Sequence, residues 1–451
     1  MSKASRIEFG TDGIRDVAGQ GQLTPESVER LGTALADWLH LKNVERRPVL
    51  LGGDTRKSRA SIVQALSRGL SGRSIAVIDV GVLPTAALAL LIEDYESSCS
   101  VVISASHNPA SDNGIKIFTG GAEKLADEDA RWIEDRFESC PGPNGAAAHD
   151  LWRTDPLGAD RYLKRLIARC PDLDLSGMRI VLDMAHGAAF EVGPRLFRTL
   201  GAEVVALGVG PDGANINDGC GALHPEPLAA LVREQRADFG LAVDGDADRS
   251  IFVDETGAIV DGDGVLAAIG EDLKSRALLR GARVVGTVMT NFGLELFLRS
   301  RGIELLRTPV GDRHVSARLR ELHLSLGGEP SGHIIFGADL QYLGDGLYTG
   351  LRIADLLHRS KIPLSRWTGR LKRTPQVLIN VRVKSRPPLE RVSGFSEKLA
   401  HAEERLGSEG RVVVRYSGTE ALVRVMVEGT EESLVRASAA DLATFLGERL
   451  G

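Results

Sequence analysis

Four cysteines (Cys99, Cys140, Cys170 and Cys220) are all that the 451 residues contain, and no two of them have C-x-x-C spacing. Their scarcity excludes a disulfide framework and a cysteine zinc site, and makes a reducing cytoplasm the expected compartment. Long apolar runs are missing as well. The longest in the N-terminal third covers residues 86–92, far short of the ~20 residues of a membrane span. The opening MSKASRIEFG lacks the apolar centre of a signal peptide. Nor is there an excess of positive charge. Lysine and arginine number 55 against 61 acidic residues, a balance of −6, so no nucleic acid and no membrane is expected as a partner. No G-x-x-x-x-G-K-[ST] and no H-E-x-x-H occurs. Gly208-Val-Gly-Pro-Asp-Gly213 fits a dinucleotide fingerprint in letters only, because Pro211 and the residues after it do not open a helix.

What the chain does have is alternation. Residues 48–52 read as a strand, 58–70 as an amphipathic helix and 74–81 as a second strand. The same unit recurs as 179–183, 188–200 and 203–210, and again as 283–288, 293–301 and 303–311. Strands alternating with helices of this length predict α/β domains with mixed, largely parallel sheets. The last eighty residues differ. Strands at 377–383, 411–415 and 422–428, with helices at 389–406 and from 431, suit a C-terminal α+β domain on an antiparallel sheet. The expected fold is therefore three related α/β domains plus that α+β domain. Its boundaries are 1–150, 151–254, 255–368 and 369–451, placed at the Pro/Gly stretch 141–145, the turn at 254–257 and the polar segment 366–375.

Four segments could carry chemistry. In the first, apolar residues 101–103 end a strand and deliver Ser104-Ala-Ser106-His107 into a loop, with Asn108-Pro109 as a turn signal and Asn113-Gly114 suited to a second tight turn. Such loops are where α/β proteins place ligands, so a serine there, beside His107 and near Lys116, is a candidate nucleophile or phosphate carrier. An isolated S-x-S-H is otherwise only a polar turn. The second segment places Asp244, Asp246 and Asp248 in one turn, where like charges need a cation or a basic partner. All-oxygen ligands favour Mg²⁺ or Ca²⁺. An EF-hand is excluded by Arg249 at the glycine position and by strand-like flanks. In the third, Glu329, Ser331 and His333 alternate between glycines and could hydrogen-bond sugar hydroxyls. The fourth, Arg415-Tyr-Ser417-Gly418-Thr419-Glu420 with Arg424 on the following strand, has the arginines, hydroxyls and glycine turn of a phosphate receptor, or of an ordinary hairpin.

Together and in this order, the four segments resemble the α-D-phosphohexomutase superfamily, whose successive domains carry S-A-S-H-N-P, D-G-D-x-D-R, G-E-x-S-G-H and R-x-S-G-T-E loops. Phe9-Gly-Thr-Asp-Gly-Ile-Arg15 is similar to its N-terminal motif, and the resemblance spans essentially the whole chain. Residues 215–226, with Val310-Gly-Asp-Arg313 and 424–429, are most similar to the branch acting on glucosamine phosphates. The resemblance implies four domains around a central cleft, with Ser106 as phosphoryl carrier. It implies Mg²⁺ held by Asp244, Asp246, Asp248 and the Ser106 phosphate, and Lys116 and Arg249 as transition-state partners. Glu329 and Ser331 would read the sugar, His107 or His333 would be the general acid/base, and Arg15, Arg415, Ser417, Gly418, Thr419 and Arg424 would bind substrate. A bisphosphorylated sugar would be both intermediate and activator, the product would feed amino-sugar and peptidoglycan precursors, and by family analogy the protein would be a homodimer. Glucose or mannose phosphates are the alternative substrates, and a non-catalytic divalent-cation-binding protein is the alternative from another class. Pro330 and Ala421 depart from the family pattern, and Pro330 bears on sugar preference.

Overall fold

The computed structural model describes residues 6–10, 12–140, 151–417 and 421–451. Three sheets share one plan of parallel strands closed by an antiparallel one. In the first, Val77–Val82, Val49–Gly53 and Cys99–Ile103 run parallel and Asp112–Thr119 returns antiparallel beside the last. In the second, Glu203–Leu207, Arg179–Asp183 and Phe239–Val243 are closed by Ser250–Asp254. In the third, Glu304–Thr308, Arg283–Thr287 and Leu326–Gly328 are closed by Ile334–Phe336. The fourth sheet is wholly antiparallel, in the order Gln376–Arg382, Leu422–Gly429, Gly410–Tyr416. Helices cover both faces of the parallel strands, which is why Val49–Gly53 and Phe239–Val243 are buried at every position and read as continuous apolar runs.

This plan places the motifs. Each of the first three sits in the loop between the last parallel strand and its antiparallel partner, at 104–111, 244–249 and 329–333. The fourth lies between Gly410–Tyr416 and Leu422–Gly429, and its Gly418 and Thr419 fall outside the described residues.

Several local expectations change. Asn113 and Gly114 lie within the strand Asp112–Thr119, because a Cβ at Gly114 would come 2.6 Å from the Ser104 carbonyl and 2.9 Å from that of Ile14. This glycine serves a close strand approach rather than a turn. The helix expected at 389–406 begins only at Phe395, after a 3₁₀ turn and Gly394 at φ 82°. Residues 254–257 form a hairpin turn inside the second sheet, which continues to Ile259–Val260, while Trp152–Thr154 joins the first sheet. The first two sheets thus extend past 150 and 254.

One apolar core runs through the first three units, joining Val102 and Phe118, Leu241 and Phe252, and Leu326 and Phe336. The C-terminal unit has its own core around Phe395, Val425 and Leu442. Its junction with the third unit includes polar contacts. Asn291 donates to the Thr374 carbonyl at 3.1 Å, and Arg411 donates to the Val288 and Thr290 carbonyls at 2.8 and 2.9 Å while pairing with buried Glu428 at 2.6 Å. Among the described residues no helix is long and apolar enough to cross a membrane.

The helix Gly346–Ser360 follows the third motif in sequence but packs on Phe239–Val243 and Ser250–Asp254 of the second sheet. A Cβ at Gly346 would lie 2.7 Å from the Arg249 carbonyl, so only glycine lets the helix start beneath the aspartate loop. Buried Asp345 caps it, accepting from the N–H groups of Leu347 and Tyr348 and from the Tyr162 hydroxyl at 2.7 Å. Burial pushes its pKa from 3.8 up to about 6. A carboxyl raised in this way contributes its full stability only below the unfolded value, and that contribution is lost as pH rises through about 6. At ~1.4 kcal/mol per pKa unit, about 3 kcal/mol is at stake. Asp345→Asn keeps the cap's shape without the charge. We expect it to melt above the parent at about pH 7.5, with the advantage vanishing near pH 4. Melting curves at both values check this, and a shift independent of pH would contradict it.

Candidate active site

The loop that carries Ser106 is held in an uncommon conformation. Ser106 has φ 52°, in the left-handed region that non-glycine residues occupy at a cost of ~1–3 kcal/mol. Its N–H donates to Ser104 Oγ at 2.9 Å, and that hydroxyl donates to Asp54 Oδ2 at 2.5 Å. Asp54 pairs with Arg56, whose side chain has no solvent exposure. The Arg56 guanidinium donates to the carbonyls of Ser106 (3.0 Å), Asn108 (2.8 Å), Asp112 (3.0 Å) and Pro109. The Ser106 hydroxyl, so placed, donates to Asp244 Oδ2 at 2.6 Å and lies 3.3 Å from His107 Nδ1.

Asp244, Asp246 and Asp248 bring one carboxylate oxygen each within 4.8 Å of the others, all buried. Burial, then the charges of Asp248 and Asp246, push the Asp244 pKa far up. Asp246 goes the other way: burial opposes ionisation, but Lys116 at 2.9 Å and the Thr85 hydroxyl at 2.6 Å hold it well below the usual carboxylate range. Asp246 Oδ1 and Asp248 Oδ1 are buried and have no hydrogen-bond partner. Two orphaned anionic oxygens beside a third carboxylate suit a hard divalent cation, which would also relieve the charge raising Asp244.

Lys116 is 3% exposed and stands among Asp12 (3.0 Å), Asp246 (2.9 Å) and Asp248 (3.7 Å). Burial alone would favour its neutral form, but these carboxylates outweigh that and raise its pKa, so it remains an ammonium. Arg249 donates its N–H to Asp244 Oδ1 at 3.1 Å, and its guanidinium lies in the field of the three aspartates and Glu329. His107 is the reverse case: burial first, then Arg249 and Arg15, depress its pKa and favour the neutral ring.

The third motif meets the second directly. Ser250 donates its N–H to the Gly332 carbonyl at 2.9 Å, and Gly262 to that of Pro330 at 3.1 Å. Glu329 accepts from the Gly311 N–H at 2.9 Å, and Ser331 is exposed. His333 Nδ1 lies 3.6 Å from Asp248 and Nε2 3.8 Å from Asp312. A cavity of about 170 Å³ opens here, lined by Lys116, Lys124, Asp248, Asp312 and His333. Lys124 bridges Asp12 (2.5 Å) and Asp312 (2.6 Å), tying the first unit to the third.

Ser106, His107, Lys116, Arg249, His333 and the three aspartates thus converge. Arg15 joins them, donating to the Ala105 carbonyl and Asn108 Oδ1, both at 3.4 Å, while paired with Asp12 at 2.6 Å. The described residues of the fourth motif belong to the separate C-terminal sheet, where Arg415 and Arg424 stand directly opposite each other. Ser417 is buried, its N–H on the Leu422 carbonyl. Sequence reasoning missed Asp12, Arg56, Thr85, Asn217, Lys124 and Asp312 as parts of the site. Asp12, Arg56, Asn217 and Asp312 lie in motif-like stretches, whereas Thr85 and Lys124 carry no local signal.

Comparison with known proteins agrees with this geometry. Residues 6–141, 160–257 and 261–374 match the alpha/beta/alpha domains I, II and III of phosphoglucomutase/phosphomannomutase, and 378–445 match its C-terminal domain. The chain is 43% identical over 450 residues to a phosphoglucosamine mutase of Symbiobacterium thermophilum, covering 98% of this chain and 99% of the relative. A solved phosphoglucomutase/phosphomannomutase family protein of Burkholderia thailandensis is 27% identical with a TM-score of 0.80, covering 98% and 97% of the two chains. An N-acetylphosphoglucosamine mutase of Aspergillus fumigatus, solved with GlcNAc-6P and magnesium, shares the fold at 18% identity and TM-score 0.67, covering 99% and 96%.

The aspartate cluster makes a prediction of its own. Titration of the full chain with Mn²⁺, read by electron paramagnetic resonance, should reveal a site that Asp248→Asn weakens by about tenfold or more. Equal affinity in the two proteins would sink the assignment of these carboxylates as ligands.

Proposed function

The chain belongs to the α-D-phosphohexomutase superfamily, the phosphoglucomutase/phosphomannomutase family, and from that premise we infer that it interconverts glucosamine 6-phosphate and glucosamine 1-phosphate. It is an intramolecular phosphotransferase of the isomerase class, as are the phosphoglucosamine mutases it matches over 98% of its length. One observation carries the chemical side of this reading. The Ser106 hydroxyl, on a strained loop, points at one carboxylate of a buried triad whose neighbours present two oxygens without partners.

The chemistry is built from these positions. Ser106 in its phosphorylated form presents the phosphoryl group to a sugar hydroxyl. That oxygen forms the new P–O bond as the bond to Ser106 Oγ breaks, giving a bisphosphorylated sugar. After the sugar reorients, Ser106 Oγ takes the phosphoryl group from the other position and regenerates the phosphoenzyme. Transfers of this kind depend on positioning and charge stabilisation more than on covalent assistance. Lys116 and Arg249 supply fixed positive charge beside the triad. His333 projects from the sugar loop, its ring flanked by Asp248 and Asp312, and is placed to take the attacking hydroxyl's proton and return it in the second half-reaction. Glu329 and Ser331 read ring hydroxyls, Arg15 borders the serine loop, and Arg415, Ser417, Gly418, Thr419 and Arg424 receive the phosphate that is not reacting. Asp244, Asp246 and Asp248, with the Ser106 phosphoryl group, would hold Mg²⁺, which offsets the negative charge of the transferring group. The Aspergillus relative, solved with magnesium, supports that choice of cation.

Two measurements test this reading. Ser106→Ala should abolish both turnover and the phosphoserine mass increment. Ser104→Ala removes only two supporting hydrogen bonds and should retain activity reduced by about thirtyfold, at ~1 kcal/mol per bond. Equal loss of the increment in two folded variants would overturn Ser106 as the carrier. For the sugar, kcat/KM in one preparation should rank glucosamine 6-phosphate first, with glucose 1-phosphate turned over slowly. Mannose phosphate in first place would move the assignment to the alternative substrates.

A further inference from the structure

The Ser106 carbonyl is held by a second side chain, from another unit. Asn217 Nδ2 donates to the Ser106 carbonyl at 3.0 Å and to the Asn108 carbonyl at 3.3 Å, so one amide spans His107. The Asn217 side chain is buried and its backbone is itself left-handed, at φ 60°, with its N–H on the Ala185 carbonyl at 2.9 Å. Gly245, between the first two aspartates, closes the group from beneath. A Cβ there would lie 2.5 Å from the Ser106 carbonyl oxygen and 2.9 Å from Asn217 Nδ2. The serine peptide is thus gripped by Arg56 from its own unit and by Asn217 from the unit carrying the aspartates.

We propose that Asn217 is a positioning residue for phosphoryl transfer, fixing the 106–107 peptide so that the Ser106 side chain keeps one direction relative to the aspartate triad. The proposal rests on Ser106 being the phosphoryl carrier. The reaction asks one serine to serve two hydroxyls of a sugar that turns over between them, so the fixed partner must be the enzyme side. The serine's left-handed backbone does not hold itself there, because an ordinary φ is the lower-energy state for serine. Two donors on its carbonyl oppose that relaxation. Arg56 grips four carbonyls of the loop from within the first unit, whereas Asn217 is anchored in the second, which carries the aspartates. Asn217 therefore sets the loop's position relative to the aspartates. Both hydrogen bonds of its amide go to the serine loop, so it acts on the reaction through Ser106.

Two variants of the full-length enzyme test this. Asn217→Gly accepts the left-handed backbone and deletes the amide. Asn217→Asp keeps the shape and turns a carboxylate toward two carbonyl oxygens. Misplacement at a reacting centre costs about 10- to 100-fold, so kcat should fall by that factor with KM for glucosamine 6-phosphate within about twofold of the parent. The concentration of glucose 1,6-bisphosphate needed for half-maximal activation should also rise, because a misaligned serine recovers the second phosphate less often and intermediate escapes. A merely structural side chain would move the melting temperature without splitting kcat from KM. Parental kcat and activator requirement in either folded variant would overturn the proposal, as would a loss of kcat that the melting curve accounts for in both. Intact mass of the parent protein separates the two readings. Absence of a Ser106 phosphate there after incubation with glucose 1,6-bisphosphate refutes the carrier assignment, whereas its presence with unaffected Asn217 variants refutes only the positioning role.

Discussion

A guanidinium with no access to water organises the loop around Ser106. Arg56 uses all five of its N–H donors: one on Asp54 and four on carbonyls of the loop around Ser106. A buried charge is tolerated only when paired and fully hydrogen-bonded. A lysine offers three donors and no planar fork, so it could not meet the same four carbonyls. The strained conformation of the loop around Ser106 depends on this grip. Breaking it would leave an unpaired buried charge as well as a loose loop.

Electrostatics works locally against the overall sign of the chain. A protein carrying −6 gathers Lys116, Lys124, Arg15 and Arg249 around its serine and aspartate loops. Each is matched to aspartates that would otherwise repel one another, so the site is a lattice of alternating charge rather than a basic patch. The lattice does not close. Asp246 Oδ1 and Asp248 Oδ1 are left over, and Asp244 is pushed toward its neutral form. Three carboxylates so arranged could hold a metal ion.

The units differ in how they are joined. The first three share a continuous apolar core, which fixes their loops against one another. The C-terminal unit folds around a separate core, and its polar contacts to the third unit include the Asn291 amide on the Thr374 carbonyl and Arg411 on the carbonyls of Val288 and Thr290. The loops at 104–111, 244–249 and 329–333 thus stand on one shared core, while the opposed pair Arg415 and Arg424 is carried on a unit with its own core.

Much of this was legible along the chain. The strand–helix units, the four motif loops and the three aspartates are set by local periodicity and like-charge spacing. Apolar runs at 101–103 and 239–243 announce buried strands, and the polar residues directly after each run can only be a loop. Other features were settled only in three dimensions. Asn113-Gly114 has the letters of a turn, yet a carbonyl from another strand makes it part of a strand. The helix Gly346–Ser360 comes after one sheet and covers another. Thr85 reaches Asp246 across 161 positions, Asn217 reaches Ser106 across 111, and Lys124 reaches Asp312 across 188. A sequence determines which groups are present and how each short segment folds, because those depend on neighbours a few residues away. Which donors meet which acceptors depends on how the sheets pack, and only the tertiary structure decides that.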